Sequence, residues 1–224
     1  ERERLISAYL RDAGEAVAGG PRVATWRDAL SRVETLKGSA EVISLPDDPT
    51  DADRVAVAVA ALRSGMSRSV MVKAPLANQI AWDSHIDNHY NQTGAFQSSF
   101  AALVTLLDTL AATPASDGSS LLEKTTLVLA SEMGRTPVQN AMRGKDHWPT
   151  TSMVLVGAGV AGGRVLGSTN DTLVGVPIDL ASGLPSSAGE ALNPAHIIAG
   201  LLESFEVDAT PWLPDVTPFR APWG

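Results

Sequence analysis

The sequence contains no cysteine and few aromatic residues, which make up 5% of its 224 residues. The lack of cysteine excludes disulfide bonds, thiolate metal sites and cysteine nucleophiles. Basic residues are also scarce, since 17 Lys and Arg stand against 25 Asp and Glu and give a formal net charge of −8. Nucleic-acid binding is therefore not expected, because the phosphate backbone requires clustered Lys and Arg. An anionic ligand would need a local positive centre, such as a metal ion or an arginine.

Long hydrophobic runs are absent too. No run reaches the roughly 18 apolar residues of a membrane span, so no membrane partner is expected. With 44% hydrophobic and 19% charged residues, the composition is typical of a globular chain. No signal peptide is visible and the sequence starts at Glu1, so we expect it to be part of a longer protein.

The first third of the chain has mostly helical patterns. Apolar residues recur at helical spacing over residues 2–18, and further helices are predicted for Thr25–Leu36 and from about Asp51 to Arg63. The β-branched run Ser69–Val72 predicts a strand. Helices therefore dominate this region.

The rest of the chain alternates between the two periodicities. A helix is predicted for Phe96–Leu110, and the short apolar runs Thr125–Ala130 and Thr151–Val156 are typical of buried strands. Asn193 followed by proline predicts the start of a helix that continues to Phe205. The segment from Pro211 onwards is rich in Pro and Trp, and we expect it to wrap the surface.

This alternation predicts an α/β fold with a mostly parallel sheet flanked by helices. We expect residues 1–66 to form a helical segment that packs on the α/β portion, residues 67–224, within one domain overall. Ligands of such sheets bind at the carboxyl ends of the strands.

Residues able to carry chemistry fall into three clusters, which we name the Trp82 cluster (residues 82–89), the Glu132 cluster (residues 131–137) and the His147 cluster (residues 144–149). In the first, Asp83 and His85 are two residues apart and would point the same way in extended backbone. A carboxylate and an imidazole on one side can share a divalent metal ion. The alternative is a turn that contains a hydrogen-bonded histidine.

The other two clusters also allow two interpretations. Glu132 directly follows a predicted strand, and Arg135 is a candidate anion-binding fork, but the two could simply form a salt bridge in a loop. His147 follows Asp146, which suits a metal ligand with a carboxylate nearby. A packed, capped loop would give the same pattern.

Other motifs in the sequence give weaker indications of function. Gly157–Gly162 matches the G-x-G-x-x-G dinucleotide fingerprint after a strand, but the residues that follow do not predict the required helix. A nucleotide-binding oxidoreductase therefore rests on this motif alone. No G-x-S-x-G nucleophile elbow occurs. His196 lies inside the last predicted helix and is interpreted as structural.

Taken together, the clusters resemble a known family. The order WDSH, an amphipathic helix, TTLVLASEMGRTP, GKDHWP, a strand and GAGVAGG is similar to the bacterial domain-of-unknown-function family 1501, whose motifs are WDTH, SEFGRTP and GRDHWP. The resemblance is strong from about Val70 to Gly167. Ser84, Met133 and Lys145 stand where the family has Thr, Phe and Arg.

The resemblance implies an alkaline-phosphatase-like or sulfatase-like core, of which this chain would be an incomplete, carboxyl-terminal portion. By the superfamily's order of ligands, the metal-binding residues would be Asp83, His85, Glu132 and His147. Met133 stands where a histidine ligand would lie, so one divalent ion of the Zn, Mn or Ca type is expected rather than two. The superfamily's nucleophile precedes this region.

The implied activity is metal-dependent hydrolysis of phosphate or sulfate esters, with a small anionic ester as substrate. Arg135 and Lys145 would neutralise charge in the transition state, and Asp146 would orient His147 or accept a proton. The alternative is a non-catalytic binding or structural protein on the same fold. The family resemblance implies export to the periplasm or the cell exterior. The oligomeric state is left open.

Overall fold

The computed structural model describes Arg4 and residues 21–39, 45–73 and 82–223. The chain divides into two compact units, Glu1–Lys73 and Ala74–Gly224, whereas the sequence analysis placed a boundary after residue 66. The helix predicted over residues 2–18 lies outside the described residues, apart from Arg4, which is helical.

The first unit contributes two described helices, α1 (Pro21–Ser39) and α2 (Asp51–Arg63). Helix α1 extends beyond the predicted Thr25–Leu36 at both ends. Helix α2 begins where predicted because of a capping box, in which the Thr50 hydroxyl accepts from the Asp53 amide and the Asp53 carboxylate accepts from the Thr50 amide. No strand forms at Ser69–Val72, so that prediction was wrong.

The second unit contains the remaining described elements. Its helices are α3 (Asn88–Ala112), a 3-10 turn (Leu121–Lys124) and α4 (Pro194–Ser204). Its strands are β1 (Thr126–Leu129), β2 (Gly134–Arg135), β3 (His147–Trp148) and β4 (Val154–Gly157). The predicted elements at residues 96–110, 125–130, 151–156 and 193–205 all correspond to helices or strands of the predicted type.

The strands of the described residues form two antiparallel pairs, β1 with β4 and β2 with β3. In the first pair Thr126 lies opposite Gly157 and Leu129 opposite Val154. Gly157 has a φ of +108°, and a Cβ atom there would lie 2.1 Å from the Thr125 carbonyl oxygen, so glycine is required where β4 ends. The mostly parallel sheet stays a prediction.

The C-terminal segment agrees with its prediction only in part. Residues 211–218 are exposed or half-buried, as expected of a segment on the surface, whereas Phe219 and Ala221 are buried with Ile178 and Leu180 in one hydrophobic cluster. The Phe219 amide donates to the His196 carbonyl oxygen, and the Arg220 amide donates to that of Leu180, both at 2.9 Å. Backbone hydrogen bonds therefore hold the end of this segment against the core, a long-range pairing that local composition does not indicate.

The residues after Gly157 do not form the helix that a dinucleotide fingerprint requires. No helix is present in residues 158–170, all of which the structure describes, as the sequence analysis expected.

Helix α3 is long and apolar enough to cross a membrane by length and composition, although we expected no such segment. Core helices of globular proteins share this length and composition, so the feature alone does not indicate a membrane span.

Candidate functional site

The short β2–β3 ladder joins the Glu132 cluster to the His147 cluster. Arg135 is paired with His147, and Gly134 with Trp148. A Cβ atom on Gly134 would lie 2.1 Å from the Thr150 carbonyl oxygen, so the absence of a side chain allows this close approach. The ladder fixes Arg135 and His147 on neighbouring strands.

The Trp82 cluster is attached to the His147 cluster through the backbone. The Lys145 amide donates to the Ser84 carbonyl oxygen at 2.9 Å, and Ile86 forms an isolated bridge with Arg143. A Cβ atom on Gly144 would lie 1.7 Å from the His85 carbonyl oxygen. The three sequence clusters therefore meet in one place, although they span more than 60 residues of the chain.

At this meeting point the imidazole rings of His85 and His147 have centroids 4.8 Å apart, at an interplanar angle of 54°. The Asp83 carboxylate lies 2.5 Å from Nδ1 of His85, with Oδ1 as the contacting atom. Hydrogen bonds from the side chain and backbone of His85 lower the pKa of Asp83 below its ordinary value, and Arg135 adds a smaller effect in the same direction. The ionised carboxylate favours a proton on Nδ1, which makes Nε2 the nitrogen of His85 that can accept or bind a ligand.

The Arg135 side chain connects the Trp82 cluster to the His147 cluster. Its Nη2 donates to the Trp82 carbonyl oxygen and its Nη1 to that of Lys145, both at 3.1 Å. The same Nη1 lies 3.4 Å from Nδ1 and 3.5 Å from Nε2 of His85, while Nη2 lies 3.7 Å from Asp83. With only 14% of its side chain exposed, the guanidinium holds positive charge against the imidazole. The acidic neighbour of Arg135 is thus Asp83. Among the residues that the structure describes, Arg135 forms no salt bridge with Glu132.

The sequence analysis missed Asn140, whose side chain connects the clusters. Its Oδ1 accepts hydrogen bonds from the Met142 and Gly144 amides at 3.0 and 2.9 Å. Its Nδ2 lies 3.1 Å from the His85 carbonyl oxygen and 3.3 Å from Asp146 Oδ1. The available signal was an asparagine four residues before a glycine, the composition of a tight loop held by an Asx side chain.

The remaining predicted site residues are placed as follows. Glu132 is exposed and contacts Ser131. The Lys145 backbone bonds to Ser84 and Arg135, and the Asp146 carboxylate accepts from Asn140. Among the residues that the structure describes, no three His, Asp or Glu side chains form a group that could hold a metal ion. The four-residue ligand set, which includes Glu132, stays a prediction.

His196, interpreted as structural, is 7% exposed at the start of α4. Its Nε2 lies 3.3 Å from Asn193 Nδ2 and 3.8 Å from the Glu190 carboxylate. Asn193 caps the helix by accepting from the Ala195 amide at 2.9 Å. The surroundings of His196 are therefore those of a packed helix start.

Comparison with known proteins identifies a family. Residues 28–177 match the family described as "Protein of unknown function (DUF1501)". Because the match spans about two thirds of the sequence and contains all three clusters, the chain belongs to this family. No curated protein and no solved structure matches the chain.

Proposed function

We propose that this protein is a metal-dependent hydrolase of phosphate or sulfate esters, built on an alkaline-phosphatase-like core. The observation that carries the proposal is the neighbouring pair of imidazoles, His85 and His147, with a carboxylate on Nδ1 of His85. Metal-binding histidines typically donate their second nitrogen to such a carboxylate. The donor set therefore suits one borderline divalent cation, such as zinc.

The charges around the pair suit an anionic ester. The protein as a whole is acidic, but Arg135 places a guanidinium against His85 at the centre of the site. Together with a divalent cation, this group provides the local positive centre that an anion needs in an acidic protein. Phosphate and sulfate esters are anions that such a centre would bind, because they keep a negative charge throughout the reaction.

Each residue of the site has a role in this proposal. His85 and His147 would hold the cation, which when bound polarises an ester oxygen and lowers the pKa of a bound water molecule. Asp83, which the sequence analysis placed among the metal ligands, would orient the His85 ring through its contact with Nδ1 in this proposal. Arg135 and Lys145 would offset negative charge that develops on the ester in the transition state. Asp146 would orient His147 or accept a proton. Glu132 is proposed as a further ligand, on the basis of its place after β1.

Metal analysis tests the proposal directly. We expect about one equivalent of a divalent metal in purified, dialysed protein, and its loss in H85A and in H147A. H89A is the matched control, because His89 is an exposed histidine of the same cluster and has no role in the proposed site. E132Q tests the further ligand, Glu132, separately. Hydrolysis of an aryl phosphate or an aryl sulfate, abolished by a chelator, would then establish the reaction.

The opposite results would overturn the proposal. If the wild-type protein binds no divalent metal, or if H85A and H147A keep the metal content of the wild type, the clusters do not form a metal site. The alternative hypothesis, a non-catalytic binding or structural protein on the same fold, would then be favoured. Export to the periplasm or the cell exterior, and a place in the carboxyl-terminal portion of a longer protein, belong to the same proposal, since both rest on the family resemblance.

A further inference from the structure

The side-chain amide of Asn140 uses its full hydrogen-bonding capacity. A carboxamide has two N–H donors and two acceptor lone pairs. In Asn140 the oxygen accepts from two backbone amides, those of Met142 and Gly144. The nitrogen donates to the His85 carbonyl oxygen and to the Asp146 carboxylate. All four contacts are made to residues of the site or of the loop that leads to it.

These four contacts divide into two functions. The oxygen shapes the loop between β2 and β3, because Met142 and Gly144 both belong to it. The nitrogen makes one contact within the loop, to Asp146, and one outside it, to the main chain of His85, 55 residues away in sequence. Arg135 holds the same segment from a second point, the Trp82 carbonyl oxygen. The side chains of Arg135, a cation, and Asn140, a neutral amide, therefore hold the His85 segment in addition to the backbone contacts at Ser84 and Ile86.

We propose that Asn140 is a positioning residue, which sets the location of the His85 ring relative to His147 through the His85 main chain. The inference rests on the proposed function for its consequence, metal affinity, but not for its geometry. Side chains that orient metal ligands commonly change affinity by about 10–100-fold when they are removed. A loss of this size is expected for variants that lack the Asn140 donors.

Two substitutions separate the two functions of the amide. N140D keeps an oxygen acceptor for the Met142 and Gly144 amides but removes both donors, and it sets a carboxylate against Asp146. N140A removes donors and acceptors together. Both variants should displace His85, whereas N140D should preserve the loop better. If one variant fails to fold, the other still tests the proposal.

Histidine-selective nitrogen NMR of the metal-free protein provides the direct measurement. The chain has four histidines, so the imidazole signals can be assigned with single substitutions. We expect the Nδ1 and Nε2 shifts of His85 to change in N140A and N140D, while those of His196 stay the same. N193A is the reciprocal control within the chain, because Asn193 is the amide beside His196. In that variant the His196 signals should move and the His85 signals should not.

A second measurement separates this inference from the proposed function. Calorimetric titration with Zn²⁺ should show binding weakened about tenfold or more in N140A and N140D, with N193A close to wild type. Unchanged His85 signals in folded N140A and N140D would overturn the positioning role, whatever the zinc affinity. Wild-type protein that binds no zinc, together with shifted His85 signals in the variants, would support the positioning role while overturning the metal-dependent function.

Discussion

At the scale of single residues, Gly144 packs against the His85 main chain with no room for a side chain. A Cβ atom there would lie 1.7 Å from the His85 carbonyl oxygen and 2.0 Å from its carbonyl carbon. Backbone atoms cannot move aside as a flexible side chain can, so G144A must push the two segments apart. We expect a loss of about 1–3 kcal/mol in the free energy of unfolding, typical of overpacking, and weaker metal binding.

Urea denaturation of G144A and of G162A measures this effect. Gly162 is the matched control, because a Cβ atom there would meet nothing within 4 Å. G162A should therefore stay close to wild type in stability. Equal stability of the two variants would show that the loop does not press against His85 as described.

At the scale of elements, the segment between α3 and β1 is fastened by an ion pair. The Lys124 ammonium lies 2.6 Å from the Asp117 carboxylate, which also accepts hydrogen bonds from Ser119. The hydrogen bond from Lys124 is the largest cause that lowers the pKa of Asp117 below its ordinary value, followed by those from Ser119. A carboxyl group whose pKa is lower in the folded state stabilises the fold above its unfolded pKa of about 3.9.

D117N should therefore lower the melting temperature at pH 7, because the ion pair with Lys124 is lost. The difference from wild type should shrink as the pH falls below about 4, where the unfolded carboxyl group takes up a proton. The pair is exposed, so the effect is expected to be small. Thermal unfolding at pH 7 and at pH 2.5 measures it, and a difference that is equal at both pH values would contradict this account.

The elements also show how far local sequence signals reach. Helices α2 and α4 were predicted closely because their starts are encoded within a few residues, by Thr50 with Asp53 and by Asn193 with the following proline. Strands β2 and β3 were not predicted, since each has two residues and exists only through its pairing. Asn140 was missed for the same reason, because its importance lies in contacts with residues far along the chain.

At the scale of the whole molecule, the three clusters were predicted to act together only because their order resembles that of a family. Their physical meeting depends on the β2–β3 ladder, on the close approach at Gly144 and on the contacts of the Arg135 side chain. None of these contacts has a periodic signature in the sequence. The candidate residues and the association of Asp83 with His85 could therefore be found from the sequence, whereas the contact between His85 and His147 and the contacts of Arg135 required the structure.

The buried C-terminal cluster leads to a prediction about the stability of the second unit. Phe219 is 5% exposed and packs with Ile178 and Leu180, so F219A would remove a large buried side chain and leave a cavity. We expect the free energy of unfolding to fall by about 3 kcal/mol, near the lower end for Phe-to-Ala changes in cores. F205A is the matched control, because Phe205 is 51% exposed at the end of α4. Urea denaturation should show a large loss for F219A and a small one for F205A. Equal losses would mean that the C-terminal segment lies on the surface, as its composition first suggested.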